Sequence, residues 1–174
     1  MNQIYTHPKR KTKVVFVQLG SPSEPTTKAL RKYLRKFLGD PRVIDINPWL
    51  WKIILNFFVL PFRPKKSAKL YARIWDGKSF PLITNTRDFT NNVREELKKI
   101  DPNGHVEVNH AFLLSPPYVN EVYDSWEDDL KKGVGATKLL VIPMFPQYSE
   151  STIASGIDAL AKELSKRVKI PTFE

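Results

Sequence analysis

Hydrophobic positions along the chain follow two spacings, one typical of buried strands and the other of helices. The segment Val14–Leu19 is nearly all apolar, rich in β-branched residues, and ends in a Gly-Ser-Pro turn, which predicts a buried parallel strand. From Thr26 to Gly39 apolar residues recur at helical spacing and cations fill the opposite face. This pattern predicts an amphipathic helix that Gly39 ends.

The same alternation of strands and helices continues along the chain. Further strands are predicted at His105–Phe112 and Lys138–Pro143. The further predicted helices are Ser67–Trp75, one from near Thr86 to Ile100, one from Tyr118 to Leu130 that ends at Gly133–Gly135, and one from about Ser149 to Val168. We therefore expect one α/β domain over residues 1–174, with a parallel β-sheet flanked by helices and ligands bound beyond the carboxyl ends of the strands.

Residues 48–62 form an apolar run of 15 residues between the first two predicted helices. The run is shorter than the roughly 20 apolar residues that span a bilayer. Tryptophans at its start and Arg63, Lys65 and Lys66 after its end suit a segment that lies on an anionic membrane surface. A helix buried in the core or in an oligomer contact fits the pattern equally well.

The net charge of +10 is concentrated in residues 1–75, which carry 16 Lys and Arg against 3 Asp and Glu. Such a surface attracts anions, whether phosphates, lipid head groups or carboxylate-bearing substrates. The chain has no cysteine, which excludes disulfides, thiolate metal ligands and cysteine nucleophiles. We find no export-signal pattern and expect a cytoplasmic protein, membrane-associated if residues 48–66 meet a bilayer.

Two groups of polar residues are candidates for a binding site. The first combines a guanidinium, an ammonium, a phenol and a hydroxyl, which can hold a carboxylate and stack on an aromatic ring: Arg63, Lys66, Tyr71 and Ser79. The second follows the strand Lys138–Pro143 and can wall an oxygen-bearing ligand: Gln147, Tyr148, Ser149, Ser151 and Thr152. The structural alternatives are a solvated basic helix and an ordinary helix N-cap at Ser149.

Sequence patterns for proton transfer, metal binding and phosphate binding are missing from the chain. No Ser-His-Asp order, HExxH or glycine-rich phosphate loop is visible. His105 and His110 fall on opposite faces of a predicted strand, and we expect a structural role for both and for His7. The sequence therefore predicts a binding surface without catalytic residues or metal ligands of its own.

Four motifs occur in the same order as in a known enzyme family. They are Leu19-Gly20-Ser21-Pro22 with Pro25-Thr26, the run Tyr33–Ile44, the run Arg63–Trp75, and Pro146-Gln147-Tyr148-Ser149. Together they resemble the amino-terminal half of ferrochelatases, the enzymes that insert ferrous iron into a porphyrin. The resemblance runs from about Val14 to the chain end.

This resemblance implies a chelatase-like fold of two similar α/β halves that grip the porphyrin in the cleft between them. Arg63, Lys66, Tyr71 and Ser79 match positions that line the porphyrin site or contact its propionates. Residues 48–75 match an apolar and basic lip that meets the membrane in some members. The implied partners are the porphyrin and the carboxyl-terminal half, with ferrous iron as a substrate and no cofactor bound by this chain.

The chain also departs from the family pattern. The family's catalytic histidine and its glutamate partner lie in the carboxyl half, outside these 174 residues, so this chain alone is expected to be inactive. Leu113 and Leu114 stand where the family often has Arg and Tyr facing the cleft. Phe145 replaces a usual Tyr, and Phe80 interrupts a usual Ser-Pro-Leu.

Two alternatives to half an enzyme stay open. A non-catalytic porphyrin- or haem-binding module would keep the fold and lose the chemistry, which Leu113 and Leu114 favour. A basic surface module would bind anionic lipid or nucleic acid through residues 28–36 and 48–66. Nucleic acid is disfavoured, because the basic helix face has no aromatic residues for base stacking. The sequence does not choose between protoporphyrin and coproporphyrin.

Overall fold

The computed structural model describes residues 11–133, 136–167 and 172–173. Its strands are β1 (Thr12–Gln18), β2 (Val106–Phe112), β3 (Lys138–Pro143) and β4 (Thr172–Phe173). They form one parallel sheet in the order β2-β1-β3-β4, which confirms the predicted α/β fold. The predictions for His7 and for the helix ends at Gly135 and Val168 lie outside the described residues.

Helices connect and cover these strands. The α-helices of the described residues are α1 (Thr27–Leu38), α2 (Pro48–Ile54), α3 (Arg63–Tyr71), α4 (Pro81–Ile100), α5 (Val119–Lys131) and α6 (Ser155–Leu164). Three single turns of other helix types adjoin them, namely π turns at Leu55–Val59 and Glu150–Ala154 and a 3-10 turn at Ala72–Ile74. Thr26 caps α1 by accepting the N–H of Ala29, and Gly39 follows its last turn, as predicted.

The side chains of β1 alternate between two apolar clusters, one on each face of the sheet. Val14 and Phe16 point to one face of the sheet, where α4 packs through Val93 and Leu97. The intervening Val15 and Val17 point to the other face, which α5 and α6 cover mainly with Tyr123, Trp126, Leu160 and Leu164. A strand buried on both faces explains why the predicted strand is apolar almost throughout.

A third apolar cluster lies between α1 and the segment that contains α2. Tyr33, Leu34 and Leu38 of α1 pack against Leu55 and Leu60. The indole N–H of Trp51 donates to the carbonyl of Leu38 at 2.6 Å. The apolar run 48–62 is therefore anchored to the domain along one side only.

Helix starts differ from the sequence predictions for local reasons. Helix α3 begins before the predicted Ser67 and α4 before the predicted Thr86, because Pro64 and Pro81 occupy their first turns. Proline fits there, since the first N–H groups of a helix have no intrahelical acceptor. Helix α6 begins later than predicted, because the π turn Glu150–Ala154 takes the place of its first α-helical turn.

Lys13 is a cation that lies inside the fold. The side chain of Lys13 in β1 is 1% exposed, and its Nζ lies 3.2 Å from a Glu107 carboxylate oxygen and 3.7 Å from one of Asp129. Glu107 is the neighbour of Lys13 across the β1–β2 ladder, and Asp129 comes from α5. A buried ammonium needs such partners, because desolvation of a lone charge is costly.

The outer edge of β2 is covered by one side chain of α4. Arg94 donates from Nε to the carbonyl oxygen of Val108 at 2.7 Å and from a terminal nitrogen to the side-chain oxygen of Asn109 at 3.1 Å. The Val108 carbonyl points away from β1, so this hydrogen bond satisfies an acceptor that no strand reaches among the described residues.

Candidate functional site

The loops after β1 and β2 meet at the carboxyl end of the sheet. Gly20 has a φ of +93°, and a Cβ at this position would lie 2.4 Å from the hydroxyl oxygen of Ser115. The backbone N–H of Ser21 donates to that same hydroxyl at 3.3 Å. Only glycine allows this approach, so the Gly-Ser-Pro turn predicted from the sequence fixes the floor of the site.

Contacts between aromatic rings place Tyr71, a predicted site residue, next to this turn. The hydroxyl of Tyr33 in α1 donates to the carbonyl of Gly20 at 3.3 Å. Tyr71, the last residue of α3, packs edge-on against Tyr33 with ring centroids 6.2 Å apart and against Phe80 at 5.4 Å. Burial, with a smaller contribution from Tyr71, raises the pKa of Tyr33 well above its usual value. Tyr33 is therefore a neutral hydrogen-bond donor at physiological pH.

Arg63 and Lys66 lie on α3 with their side chains in solvent. In the part of the chain that the structure describes, no carboxylate lies within ion-pair distance of either residue or of Lys65. By contrast, Lys36 of α1 donates to the Tyr118 hydroxyl at 2.9 Å. The cations of α3 are thus available to an external anion.

Ser79 belongs to the turn that leads from α3 into α4. Its backbone N–H and that of Lys78 donate to the carboxylate of Asp76, and these hydrogen bonds, Ser79 first, lower the pKa of Asp76. The Ser79 hydroxyl is half-buried and lies 3.5 Å from the carbonyl oxygen of Phe80, at the limit of a hydrogen bond. The Asp76 carboxylate holds the turn through backbone N–H groups, and the long contact with Phe80 leaves the Ser79 hydroxyl capacity to accept from another partner.

The apolar run 48–62 presents a row of aromatic side chains to solvent. Trp49 is 79% exposed and Phe57 is 70% exposed, and Phe58 and Phe62 are exposed to similar extents. The π turn Leu55–Val59 keeps Leu55 in the core while Phe57 and Phe58 point outward. We call this row the aromatic face; it is continuous in sequence with the cations of α3. Exposed apolar surfaces of this kind are typical of interaction sites.

The second predicted group lies after β3, around the π turn Glu150–Ala154. The Ser149 hydroxyl lies 2.5 Å from the Thr152 hydroxyl and 3.4 Å from that of Ser151. Ser149 stands at the N-cap position, but its hydroxyl accepts no backbone N–H there, so the ordinary N-cap alternative is wrong. Gln147 and Tyr148 are exposed to solvent.

A hollow of about 100 Å³ joins this hydroxyl cluster to the rest of the carboxyl end of the sheet. It is lined by Leu19, Phe37, Asp40, Val43, Leu113, Leu114, Ser151, Ser155 and Ala159. Leu113 and Leu114, two of the departures from the family pattern, therefore make part of its wall apolar. Of the predicted site residues this hollow contains Ser151, but none of the α3 group.

One contact between distant segments was not predicted from the sequence. Arg42, in the loop after α1, donates from Nε to one carboxylate oxygen of Asp158 at 2.8 Å and from a terminal nitrogen to the other at 3.2 Å. The hydrogen bond and charge of Arg42 lower the pKa of Asp158, and Asp158 raises that of Arg42. This fork ties the segment that leads to the aromatic face to α6, beside the hydroxyl cluster.

Among the described residues, none of the helices combines the length and the apolarity that crossing a bilayer requires. The contact of the aromatic face with a membrane stays a prediction.

Comparison with known proteins places the chain in a family. A model of the ferrochelatase family matches residues 11–174. The ferrochelatase of Idiomarina loihiensis is 42% identical over 158 residues, which are 91% of this chain and 42% of that protein. The ferrochelatase of Actinobacillus pleuropneumoniae serotype 5b is 40% identical over 161 residues, 92% of this chain and 48% of that protein.

A relative whose name specifies the porphyrin has a similar sequence identity. The coproporphyrin III ferrochelatase of Streptococcus mutans is 40% identical over 166 residues, which are 95% of this chain and 50% of that protein. The chain thus spans about half the length of the curated relatives it matches. On these matches and on its parallel α/β fold, the chain belongs to the ferrochelatase family.

Proposed function

We propose that this chain is the porphyrin-binding, amino-terminal half of a ferrochelatase, which inserts ferrous iron into a porphyrin in haem biosynthesis. The observation that carries the proposal is the pair of solvent-facing cations on α3, Arg63 and Lys66, without carboxylate partners in the described part of the chain. They lie beside the exposed aromatic face, in a chain of the ferrochelatase family.

The chemistry of these groups suits a porphyrin. A guanidinium and an ammonium bind propionate carboxylates, and Arg63 can do so with two parallel hydrogen bonds. Tyr71, held by Tyr33 and Phe80, offers a ring to the flat macrocycle. The hydroxyls of Ser79 and of the Ser149 cluster, with Gln147 and Tyr148, supply further polar contacts at the same end of the sheet.

Iron insertion needs groups beyond this binding surface. A base must remove the pyrrole protons and ligands must deliver the metal. We propose that these groups come from the carboxyl-terminal half and that the 174-residue chain alone is inactive. The contribution of this half is then to hold the macrocycle and, through remote binding, to strain it toward the geometry that accepts the metal.

Porphyrin titration tests the proposal. Arg63→Ala should weaken protoporphyrin binding by about tenfold, or ~1.4 kcal/mol, read from the Soret band. The control is Arg87→Ala on α4, where Arg87 already pairs with Asp88 at 3.3 Å. The dimethyl ester of protoporphyrin, which lacks the carboxylates, should bind both variants alike. Equal affinity of wild type and Arg63→Ala for the free acid would remove Arg63 from the site.

Metal insertion distinguishes the half-enzyme from a non-catalytic porphyrin-binding module, which the apolar Leu113 and Leu114 wall favours. The chain with protoporphyrin or coproporphyrin and ferrous iron, without oxygen, should form no iron porphyrin. Addition of the carboxyl half of the Idiomarina loihiensis ferrochelatase should restore insertion. Insertion by the chain alone would contradict the proposed division of labour, and none in the mixture would support the non-catalytic module.

We also propose that the aromatic face makes a peripheral membrane contact with anionic lipid, aided by the cations of residues 63–66. Vesicles of phosphatidylglycerol and phosphatidylcholine should shift the tryptophan emission to the blue, less so at high salt. Phe57→Asp should abolish the shift, whereas Ile100→Asp, at a residue that is 79% exposed on α4, should not. An unaltered response of Phe57→Asp would refute the contact.

A further inference from the structure

A hollow of about 170 Å³ lies between α1 and the loop that joins β2 to α5. It contains Ser21 and Ser115, the two residues whose contact holds the Gly20 turn. None of the predicted binding-site residues lines it. Pockets for drug-sized ligands measure about 300–1,000 Å³, so this hollow suits one small polar group and is too small for a porphyrin macrocycle.

Two ammonium groups line the hollow. Lys32 and Lys36 lie one turn apart on α1, and both are exposed. Tyr118 holds Lys36 in place, because the Lys36 Nζ donates to the phenol oxygen at 2.9 Å and lies 4.2 Å from the ring centroid. Among the described residues, no carboxylate lines the hollow or pairs with either lysine. These two charges therefore have no counter-ion in the described part of the chain.

Two buried hydroxyls in the hollow have donor capacity that the fold does not use. Ser21 is 6% exposed, and its hydroxyl has no hydrogen-bond partner among the described residues. Ser115 is 8% exposed, and its oxygen accepts the backbone N–H of Ser21 at 3.3 Å, while no described group accepts its own O–H. Buried polar groups are normally paired, so these hydroxyls indicate a ligand that accepts hydrogen bonds.

The groups that line the hollow match an oxyanion. The Tyr118 oxygen accepts from Lys36, so its own O–H is also available as a donor. The hollow thus combines ammonium and hydroxyl donors with no competing carboxylate among the described residues. A phosphate group has more acceptor oxygens and more negative charge than a carboxylate, and it uses such a set of donors more fully.

We infer that this hollow is a binding site for soluble phosphate, as the inorganic ion or as the end of a phosphate monoester. Lys32, Lys36 and the hydroxyls of Ser21 and Ser115 hold it. None of these contacts involves the porphyrin, so the site goes beyond the proposed function and does not depend on it. Because Ser21 and Ser115 also hold the Gly20 turn, bound phosphate stabilises the loops after β1 and β2.

Calorimetric titration of the 174-residue chain with inorganic phosphate, at constant ionic strength, tests this site. Wild type should show one saturable site. Ser21→Ala should weaken binding about tenfold, because a hydrogen bond to a charged group is lost while the net charge is unchanged. Lys36→Gln should also weaken it about tenfold. The matched control is Lys28→Gln, an exposed cation of α1 outside the hollow, which should change the affinity less than about twofold. Circular dichroism should show that all three variants are folded.

Binding that does not saturate, or that Ser21→Ala leaves unchanged, would overturn the site. Equal losses in Lys36→Gln and Lys28→Gln would also overturn it, because they would mean general attraction to a basic surface. Binding to vesicles of phosphatidic acid and phosphatidylcholine that inorganic phosphate does not displace would identify a lipid head group and overturn the soluble ligand.

Porphyrin competition separates this site from the proposed function. Arg63→Ala should weaken porphyrin binding and leave the phosphate affinity unchanged. Displacement of phosphate by protoporphyrin, but not by its dimethyl ester, would mean that the hollow receives a propionate and would overturn the separate phosphate site. Loss of porphyrin binding with intact phosphate binding would refute the proposed function alone.

Discussion

Alanine in place of Gly156 should stabilise the protein, whereas the same substitution at Gly20 should destabilise it. Gly156 is the second residue of α6, and the only atom that its Cβ would meet within 4 Å is a methyl of Leu113 at 3.9 Å. Alanine is favoured over glycine within a helix by about 1 kcal/mol. The added methyl also enters an apolar groove between α5 and α6, which contributes at most ~0.8 kcal/mol. We expect a total gain of about 1–2 kcal/mol.

Gly20 offers the opposite environment. A Cβ there would lie 2.4 Å from the Ser115 hydroxyl oxygen and 3.0 Å from the Cβ of Phe112, at a φ of +93°. The left-handed backbone costs an L-residue about 1–2 kcal/mol, and forced overpacking of a tight contact costs about 1–3 kcal/mol more. Gly77→Ala isolates the backbone contribution, because Gly77 has a φ of +95° and nothing within 4 Å of its Cβ position.

Thermal unfolding followed by circular dichroism measures all three variants. For a chain of this size, 1 kcal/mol corresponds to a change in Tm of about 2–4 °C. Gly156→Ala should raise Tm, Gly77→Ala should lower it slightly, and Gly20→Ala should lower it most. The reasoning would be refuted if Gly156→Ala lowered Tm, or if Gly20→Ala cost no more than Gly77→Ala.

Two further predictions concern ion pairs. Replacement of both Glu107 and Asp129 by alanine should lower the free energy of unfolding, measured in urea, by about 3–5 kcal/mol, because the buried Lys13 ammonium then has no carboxylate beside it. Lys13→Met should lower it less, since water can solvate the two carboxylates. Equal losses of stability in the two variants would contradict this reasoning. Arg42→Ala should raise the pKa of Asp158, measured by carboxyl NMR. Because Arg42 depresses this pKa, the pair stabilises the fold at neutral pH, and this stabilisation is lost as the pH falls through the folded pKa. An unchanged pKa would mean the fork does not form in solution.

Local sequence patterns predicted those elements of the fold that depend on interactions between residues close in sequence. The apolar run Val14–Leu19 identified β1 because burial on both faces requires apolar residues throughout, and the helical stripe of α1 identified its buried face. The turn at Gly20 was readable because glycine admits a left-handed backbone and the following proline fixes its own φ. These features need no knowledge of distant segments.

Features that depend on distant segments were not predicted. The π turn Leu55–Val59 lies in a run that is apolar almost throughout, so the sequence has no periodicity that would reveal the type of helix. In the sequence, Lys13 is a charged residue directly before a predicted strand, which does not indicate burial. Its burial depends on carboxylates from β2 and α5. The Arg42–Asp158 fork joins residues 116 positions apart.

The binding role of the α3 group and of the hydroxyl cluster stays a prediction. The structure places Tyr71 beside Tyr33, whose hydroxyl donates to the carbonyl of Gly20 after β1. The packing of Tyr71 against Tyr33 and Phe80 was not predicted, because it joins three helical segments and depends on the bend between α3 and α4. The exposed aromatic face settles how residues 48–62 divide between core and solvent, which the two sequence interpretations left open.

The hydrogen bond from Arg94 of α4 to the edge of β2 affects whether the protein aggregates at high concentration. Unpaired sheet edges are templates for strand-by-strand aggregation, and a charged side chain bonded to the edge carbonyl discourages growth there. Fibril-like polymerisation by strand addition at the β2 edge is therefore disfavoured.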